Sequence, residues 1–197
     1  MTDPRTSALD DRALVAAARQ GDRRALEVLL RRHHDRIRAL CRRVCGNDAD
    51  ADDATQDALV AIVRGLDRFD GRSAFSTWTY RIATNACLDE LRRRRRRPEP
   101  RATEDWPLVG PSGVAPGPDG VADRIDVRRA LAELPDDFRV AVVLRDLCDL
   151  DYAEIGEVLD IPPGTVRSRI ARGRAQLSRH LAAGNPPTPP RRQNERP

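Results

Sequence analysis

A short segment near the C-terminus carries the residues best suited to bind a nucleic acid. Two of its arginines flank a small residue, and a guanidinium group can donate two parallel hydrogen bonds to the O6 and N7 atoms of guanine. A small side chain between them lets a helix approach a base pair closely and can contact a thymine methyl group. The candidate DNA-reading residues are Thr165, Arg167, Ser168, Ala171 and Arg172.

The spacing of apolar residues predicts the helix that presents this segment. Its inward-facing positions recur every three or four residues, at Val166, Ile170, Gly173, Leu177 and Leu181. This pattern predicts a helix that begins at Val166, with Thr165 as its N-cap. Residues 152–159 are predicted to form a preceding helix, joined to it by a tight turn at 161–164. Two helices joined this way form a helix-turn-helix, whose second helix enters the major groove of DNA. A solvated basic face on an ordinary helix is the alternative.

Cysteines and histidines are the other groups that can do chemistry. The chain has four cysteines, Cys41, Cys45, Cys87 and Cys148, and their spacing matches no common metal pattern. His33 and His34 lie one to two turns before Cys41, so a zinc or redox site is an alternative interpretation. We expect instead buried, reduced thiols, a packed core histidine at His33, and neither a metal ion nor a cofactor.

Composition limits the class of protein. The 197 residues are 34% charged and 40% hydrophobic, too apolar for a disordered chain and too polar for a membrane protein. All 35 basic residues are arginine, which is typical of a GC-rich genome, and the net charge is only +4. No apolar run approaches the roughly 20 residues that a bilayer requires, and the N-terminus lacks a signal-peptide pattern. We therefore expect a cytoplasmic protein.

Helical periodicity dominates the chain, and no strand pattern is evident, so we expect an all-α fold. The prediction is two small helical domains, at residues 9–97 and 123–183, joined by a flexible Pro/Gly-rich linker at 98–122. The linker holds four acidic residues against one arginine, so it is slightly negative. A tail at 184–197, rich in proline and arginine, is predicted to be disordered.

The first domain is predicted to contain four helices. A short one lies near residues 10–19, and a long amphipathic one ends at Gly46 and Asn47, which tolerate left-handed geometry. A third helix has an acid-rich start, which suits the positive end of the helix dipole. The fourth begins near Ser73 and runs toward Leu91, and Pro98 is predicted to end it after an arginine run.

Two strings in this domain resemble a known family. One is DDATQDA at residues 52–58, and the other runs from Asp67-Arg68-Phe69 through SAFSTWTYRIATN at residues 73–85. With a helix-turn-helix behind a linker, they resemble the extracytoplasmic-function (ECF) sigma factors, the smallest class of the bacterial sigma-70 family. The resemblance covers residues 9–97 and 123–182. It implies a factor that directs promoter-specific transcription initiation and is not an enzyme.

The resemblance also implies partners. The first domain would bind the β′ clamp of core RNA polymerase through Asp53, Gln56 and Asp57, because polar acceptors on an exposed helix face can pair with a basic partner. A solubilising acidic cap is the alternative for these residues. The second domain would read the −35 promoter element. The implied partners are core RNA polymerase (β′ clamp and β flap), promoter DNA and an anti-sigma factor, without membrane insertion.

The resemblance further implies that the first domain opens the promoter at its −10 element by capturing a base that has left the stack. The residues implied are Phe69, Gly71, Arg72, Ser73, Phe75, Arg81 and Asn85. Asn85 is mildly unfavourable within a helix and adds no packing, which favours a functional role, whereas Phe75 and Trp78 fit equally well as core aromatics. The run from Arg92 to Arg97 would hold phosphates without sequence preference.

Two other functions fit parts of the sequence. A classical activator or repressor would use the same helix-turn-helix but needs a sensing domain, whose strand–helix alternation the N-terminal half lacks. An enzyme would need convergent catalytic groups. The acids at Asp48, Asp50, Asp52 and Asp53 are nuclease-like, but no Walker-type or Ser-His-Asp pattern accompanies them.

Overall fold

The structure, a computed structural model, describes residues 4–96 and 127–184, with side chains over 11–96 and 127–182. All regular elements in these two ranges are helical, which confirms the predicted all-α fold. In chain order they are α1 (Pro4–Arg19), α2 (Arg23–Cys45), α3 (Asp48–Gly65), the 3₁₀ turn η1 (Leu66–Arg68), α4 (Phe75–Arg96), α5 (127–132), α6 (Asp136–Asp146), α7 (Tyr152–Leu159) and α8 (Pro163–Gly184).

The first four helices form a bundle around one apolar core. α2, α3 and α4 pack against each other pairwise, and α1 lies against α2. The predicted apolar stripe of α2 lies at the centre, where Leu29, Ile37 and Leu40 are fully buried beside Ile62 of α3 and Ala83 of α4. Burying a leucine or isoleucine side chain stabilises a fold by about 1.5–3 kcal/mol. This core fixes which faces of α3 and α4 point outward.

Capping residues define the corner between α2 and α3. Asp22 begins α2 by accepting hydrogen bonds from the amides of Arg24 and Ala25 at 2.9 and 3.1 Å. Gly46 ends it with φ of +81°, and the Asn47 side chain then caps α3. The predicted helix end at Gly46 and Asn47 is therefore confirmed.

The C-terminal helices form a second unit, in which α8 packs on α6 and α7. Gly173 is the point of closest approach, since a Cβ atom there would lie 2.6 Å from Cγ2 of Val142 and 3.2 Å from the carbonyl oxygen of Phe138. Val140, Leu144 and Ile155 fill the core of this unit. The close crossing holds α8 firmly on α6.

The two units contact each other directly. Arg139 of α6 is 6% exposed, and its guanidinium donates to the carbonyl oxygen of Val44 at the end of α2, at 2.6 Å. Burial lowers the pKa of Arg139. Arg128 pairs with Asp48 of α3 at 2.9 Å, and Thr77 of α4 donates to Glu154 of α7 at 3.1 Å. Polar contacts at several points therefore stabilise the docked arrangement, in which the C-terminal unit lies against the first bundle.

The predicted start of α8 is wrong by three residues. The helix begins at Pro163, because a proline has the fixed φ that suits the first helical turn. The carbonyl oxygen of Pro162 accepts hydrogen bonds from the amides of Thr165 and Val166 at 2.8 and 3.1 Å. Thr165 therefore lies within the first turn and is not the N-cap.

Other helix ends also differ from the prediction. α1 extends back to Pro4, and α4 begins at Phe75 instead of Ser73. α4 continues through Arg96, so the arginine run up to that residue extends the helix, as its sequence suggested. Pro98, the linker at 98–122 and the tail after Gly184 lie outside the described residues.

Three of the four cysteines line the core of the first bundle. Cys41, Cys45 and Cys87 are buried, Cys148 is partly buried, and all four are free thiols. Hydrogen bonds that the Cys87 thiol donates to Cys41 and Cys45, together with burial, raise the pKa of Cys87. Burial raises the pKa of Cys148 to about 12. Both thiols are therefore protonated at neutral pH, and their packing matches the expectation of small buried hydrophobes.

Candidate nucleic-acid interface

α7, a short turn and α8 form a tight helix-turn-helix. Asp151 caps α7 by accepting hydrogen bonds from the amides of Ala153 and Glu154, both at 2.8 Å, and the Glu154 side chain accepts one from the Asp151 amide at 2.9 Å. A Cβ atom at Gly156 would lie 2.9 Å from the carbonyl oxygen of Ile161. Glycine at this position permits the close turn that orients α8.

The first two turns of α8 separate into a buried and an exposed face. Val166 and Ile170 are 0% and 2% exposed and hold the helix on its own unit. Arg167, Ala171 and Arg172 lie on the exposed side, as their spacing predicted. Ser168 is half-buried, and its hydroxyl donates to the carbonyl oxygen of Thr165 at 2.9 Å. Thr165 is also half-buried, so the two arginines and Ala171 present most of this surface.

Neighbouring side chains distinguish the arginines of α8. The guanidinium carbon of Arg167 lies 5.7 Å from the ring centroid of Tyr152, within range of a cation–π contact. Arg169 pairs with Asp137 at 2.7 Å, and Arg174 pairs with Asp146. The Tyr152 ring therefore orients one exposed arginine, while acids pair with two others.

The outer face of α3 carries the predicted polymerase-binding residues. Asp53, Gln56 and Asp57 are all exposed, and two valines on the same helix, Val60 and Val63, are 41% and 43% exposed. Valine is ordinarily buried, so this face combines acids with an apolar strip. A shallow groove of about 490 Å³ begins at Asp57 and Val60 and continues to η1.

The arginine run at the end of α4 lies next to acidic residues. Arg93 pairs with Asp57 of α3 at 2.8 Å, and the hydrogen bond to Asp57 raises the pKa of Arg93. Arg94 pairs with Asp50 at 3.2 Å. Arg95 pairs across the two units with Asp136 at 2.5 Å, and Arg92 pairs with Asp89. The arginine is exposed in each pair, and exposed ion pairs contribute little to stability, so a stronger partner can replace them.

A cavity of about 290 Å³ opens between α1 and the start of α4. Its wall contains two aromatic rings, a loop and two charged side chains of α1. The lining residues are Asp11, Arg12, Phe69, Gly71, Arg72, Ser73, Ala74 and Phe75. An aromatic-walled cavity of this kind can hold a flat heterocyclic ring.

Local interactions shape the loop of this cavity. The carboxylate of Asp70 accepts a hydrogen bond from the Arg72 amide at 3.0 Å, which forms an Asx-turn. Gly71 between them has φ of +75°, a conformation that favours glycine. Behind the loop, the rings of Phe69 and Phe75 meet edge to face with centroids 5.4 Å apart. The loop is therefore supported by a rigid aromatic floor.

The aromatic floor continues into the bundle. The Trp78 ring lies 5.2 Å from that of Phe69 and 5.5 Å from that of Phe75. On the other side, His33 of α2 packs edge to face on Phe75 at 5.1 Å. His33 is 4% exposed, in agreement with a packed core histidine. Phe75 is thus 5% exposed, as expected of a core aromatic, and it also lines the cavity. Phe69 is 5% exposed as well and lines the same cavity.

The structure separates the predicted −10 residues into two groups. Phe69, Gly71, Arg72, Ser73 and Phe75 line the cavity. Arg81 and Asn85 lie on the exposed side of α4, six and ten residues beyond Phe75. At 1.5 Å per residue, these two residues are displaced along the helix by about 9 and 15 Å. They therefore lie outside the cavity lining, farther along α4.

Asp11 and Arg12 are cavity residues that the sequence analysis missed. Their helix was predicted to be short, and no local pattern connects α1 with a loop about 60 residues later. The only available signal was the pairing of an acid with His33, which places α1 beside α2. That contact depends on tertiary packing, because Nε2 of His33 lies 2.9 Å from Oδ2 of Asp11, which is 22 residues away in the sequence.

Comparisons with known families match both units. The Sigma-70 region 2 model matches residues 29–97, and the Sigma-70 region 4 model matches residues 124–177. The ECF RNA polymerase sigma factor SigM of Mycobacterium tuberculosis is 40% identical over 87% of this chain and 84% of its own length. The ECF RNA polymerase sigma factor SigW of Bacillus subtilis is 33% identical over 85% of this chain and 94% of its own length.

Solved structures show the same fold. CnrH in complex with the cytosolic domain of CnrY is similar with a TM-score of 0.66 and 29% identity, over 89% of this chain and 99% of that one. The sigma factor RpoE of Bartonella quintana, in complex with the anti-sigma factor NepR, has a TM-score of 0.65, 24% identity and coverage of 81% and 98%. Among the helices that the structure describes, none is long and apolar enough to cross a bilayer.

Proposed function

Because the chain belongs to the extracytoplasmic-function sigma factors of the sigma-70 family, we propose that its two helical units divide promoter recognition between them. A factor of this family binds core RNA polymerase and directs transcription initiation at specific promoters. We assign residues 9–97 to polymerase binding and the −10 element, and residues 123–183 to the −35 element. The linker at 98–122 joins the two, and the chain itself catalyses no reaction.

The C-terminal unit docks the start of α8 in the major groove of the −35 element. Arg167 and Arg172 are exposed, and Ala171 between them leaves room for base pairs. The cation–π contact with Tyr152 holds one guanidinium near its working position before DNA arrives. Thr165 and Ser168 flank the same surface and can contact phosphates. Each bidentate contact with guanine contributes about 1–3 kcal/mol of discrimination.

The N-terminal unit melts the −10 element by capturing a base in the cavity between α1 and α4. Phe69 and Phe75 supply ring surfaces, and the loop from Gly71 to Ser73 closes around the base. Arg81 and Asn85 contact the strand farther along α4, and the arginine run binds phosphates beyond them. Stacking on an aromatic side chain contributes about 1–3 kcal/mol per base, which offsets part of the cost of unpairing.

Polymerase binds the outer face of α3. Asp53, Gln56 and Asp57 supply acceptors for basic groups of the β′ clamp, and the exposed strip of Val60 and Val63 adds apolar area. The C-terminal unit contacts the β flap. The structure of RpoE in complex with the anti-sigma factor NepR supports control by an anti-sigma factor. The chain acts where the polymerase works, in the cytoplasm.

The observation that carries this proposal is a helix-turn-helix with two exposed arginines behind a bundle that holds an aromatic cavity. Run-off transcription with core RNA polymerase on genomic fragments, followed by sequencing of the products, tests it. We expect start sites that appear only when the chain is added and share two upstream elements. Addition without new promoter-directed starts would overturn the proposal. Cleavage of DNA by the chain alone with magnesium would instead indicate a nuclease.

A further inference from the structure

The wall of the cavity formed by α1 has no role in the function described so far. Asp11 lines the cavity and is only 6% exposed, whereas Arg12 beside it is exposed. A buried carboxylate is costly unless its charge is paired and its oxygens accept hydrogen bonds. The fold meets that cost at Asp11 by surrounding its carboxylate with partners from α2.

Two side chains of α2 hold the Asp11 carboxylate in place. Oδ1 accepts a hydrogen bond from Arg32 at 2.6 Å, and Oδ2 lies 2.9 Å from Nε2 of His33. Burial opposes ionisation, but the hydrogen bonds and charges of His33 and Arg32 outweigh it and lower the pKa of Asp11 below its ordinary value. The carboxylate is therefore charged at neutral pH and fixed in position.

This carboxylate retains unused acceptor capacity. A carboxylate has about four lone-pair sites, and the hydrogen bonds with Arg32 and His33 use one site on each oxygen. His33 also packs on Phe75, one of the two rings that line the cavity. His33 thus contacts both the Asp11 carboxylate and the Phe75 ring, and it fixes their positions relative to each other. A base stacked on the rings would meet a fixed negative acceptor at its edge.

We propose that Asp11 sets the base selectivity of the cavity by accepting a hydrogen bond from the exocyclic amino group of the captured base. This inference rests on the proposed function, in which the cavity holds an unstacked base of the −10 element. Adenine, cytosine and guanine carry an exocyclic amino group, whereas the exocyclic groups of thymine and uracil that can hydrogen-bond are carbonyl oxygens. A carboxylate attracts the first group and repels the second. Arg12, exposed beside the cavity, can bind the phosphate of the same nucleotide.

The test uses the full chain, core polymerase and a promoter mapped by run-off transcription. Each amino-bearing base of the non-template −10 strand is changed singly: cytosine to uracil, adenine to purine, or guanine to hypoxanthine. These changes remove the amino group and leave the protein unaltered. At the captured position we expect open-complex formation, measured by permanganate reactivity, to fall about tenfold, the effect of losing one charge-assisted hydrogen bond.

The same DNA series is then measured with Asp11→Asn, which replaces the carboxylate by an amide of equal size. An amide both accepts and donates hydrogen bonds. With this variant, open-complex formation on DNA with and without the amino group should therefore differ by no more than about twofold. Asp35→Asn is the matched control, because that exposed carboxylate of α2 lies outside the cavity lining. It should retain the full tenfold preference.

The outcomes distinguish this inference from the function on which it rests. The inference is overturned if removal of an amino group reduces open-complex formation by the wild-type chain at no position. It is also overturned if Asp11→Asn reduces open-complex formation equally for every base, because that result indicates a structural role only. In both cases promoter opening by the wild-type chain would leave the proposed function intact. Failure of the wild-type chain to open any promoter would overturn both proposals.

Discussion

Arg172 is the residue at which DNA recognition and polymerase binding can be separated. It is exposed on α8 in the C-terminal unit, whereas the α3 face assigned to polymerase lies in the N-terminal unit. We expect Arg172→Ala to weaken use of promoters with an intact −35 element about 5- to 150-fold, the range of one lost bidentate guanine contact. Run-off transcription and a pull-down of the β′ subunit measure the two functions.

Arg179→Ala is the control for Arg172, since Arg179 is also exposed but lies two turns farther along α8. It should change promoter use little. Equal loss of promoter use and of β′ binding in Arg172→Ala would contradict the assignment of this face to DNA.

Asn85 offers a test in which function and stability should change in opposite directions. The side chain is exposed in the middle of α4, where alanine has the higher helix propensity by roughly 0.5 kcal/mol. We expect Asn85→Ala to melt at the same or a higher temperature, yet to reduce promoter opening about two- to tenfold through loss of a hydrogen bond to the strand. Permanganate footprints measure the opening, with Asp89→Asn as an exposed control one turn later. Unchanged footprints would exclude Asn85 from melting.

At the scale of residues, the sequence predicts those exposed positions that follow from the spacing of apolar residues within a single helix. The exposed positions of Arg167, Ala171 and Arg172 follow from the apolar period of their own helix. The roles of Asp11 and Arg12 could not be predicted, because α1 meets the loop at Phe69 only after the bundle has assembled. A cavity formed by distant segments has no periodicity in the sequence.

At the scale of elements, Gly173 fixes the distance between α8 and α6. A Cβ atom there would overlap Cγ2 of Val142 at 2.6 Å. We expect Gly173→Ala to destabilise the C-terminal unit by about 1–2 kcal/mol, since overpacking costs roughly 1–3 kcal/mol and alanine recovers up to about 1 kcal/mol of helix propensity. Urea unfolding followed by circular dichroism measures the change.

Gly164→Ala is the matched control on the same helix, because a Cβ atom at Gly164 meets no other atom within 4 Å. This variant should be neutral or slightly more stable. If both alanine variants had equal stability, the close crossing of α6 and α8 would be excluded as the reason for glycine at 173.

Helices were predicted more reliably than their ends. Amphipathic spacing identified α2, α7 and α8, because an apolar stripe must face a core. The start of α8 was misplaced because Thr165 is a strong N-cap residue, whereas the chain uses the fixed φ of Pro163 to begin the helix earlier. Two residues that each favour a helix start competed, and local preference alone did not determine which one prevails.

At the scale of the whole molecule, the docked arrangement has to open for promoter binding. Elements named −35 and −10 are separated by about 25 base pairs, or roughly 85 Å of duplex at 3.4 Å per step. The two units instead contact each other, because Arg139 of the C-terminal unit donates a hydrogen bond to the carbonyl oxygen of Val44 in the N-terminal unit. About 30 residues join Arg96 to Val127, and at roughly 3.3–3.6 Å each they can span close to 100 Å. The chain between the units is therefore long enough.

A charge reversal at the interface should favour the open arrangement. Arg128→Glu places a carboxylate opposite Asp48, where the wild-type pair is 2.9 Å apart. We expect a larger radius of gyration by small-angle X-ray scattering at unchanged helix content, because the repulsion acts between the units and not within one. Arg179→Glu, exposed on α8, should leave the radius unchanged. An equally compact Arg128→Glu chain would show that this pair does not hold the units together.

The ion pairs between the α4 arginines and the acids around them affect how strongly the unbound chain binds DNA without sequence preference. Nonspecific affinity for the chromosome grows with the number of cations free to displace condensed counterions. Arg93, Arg94 and Arg95 are each occupied by a carboxylate, one of which, Asp57, is itself a candidate polymerase contact. If polymerase takes Asp57, as proposed, Arg93 loses one of its two carboxylate partners and becomes more available to phosphate. We therefore expect the assembled holoenzyme to bind bulk DNA more tightly than the solitary chain does.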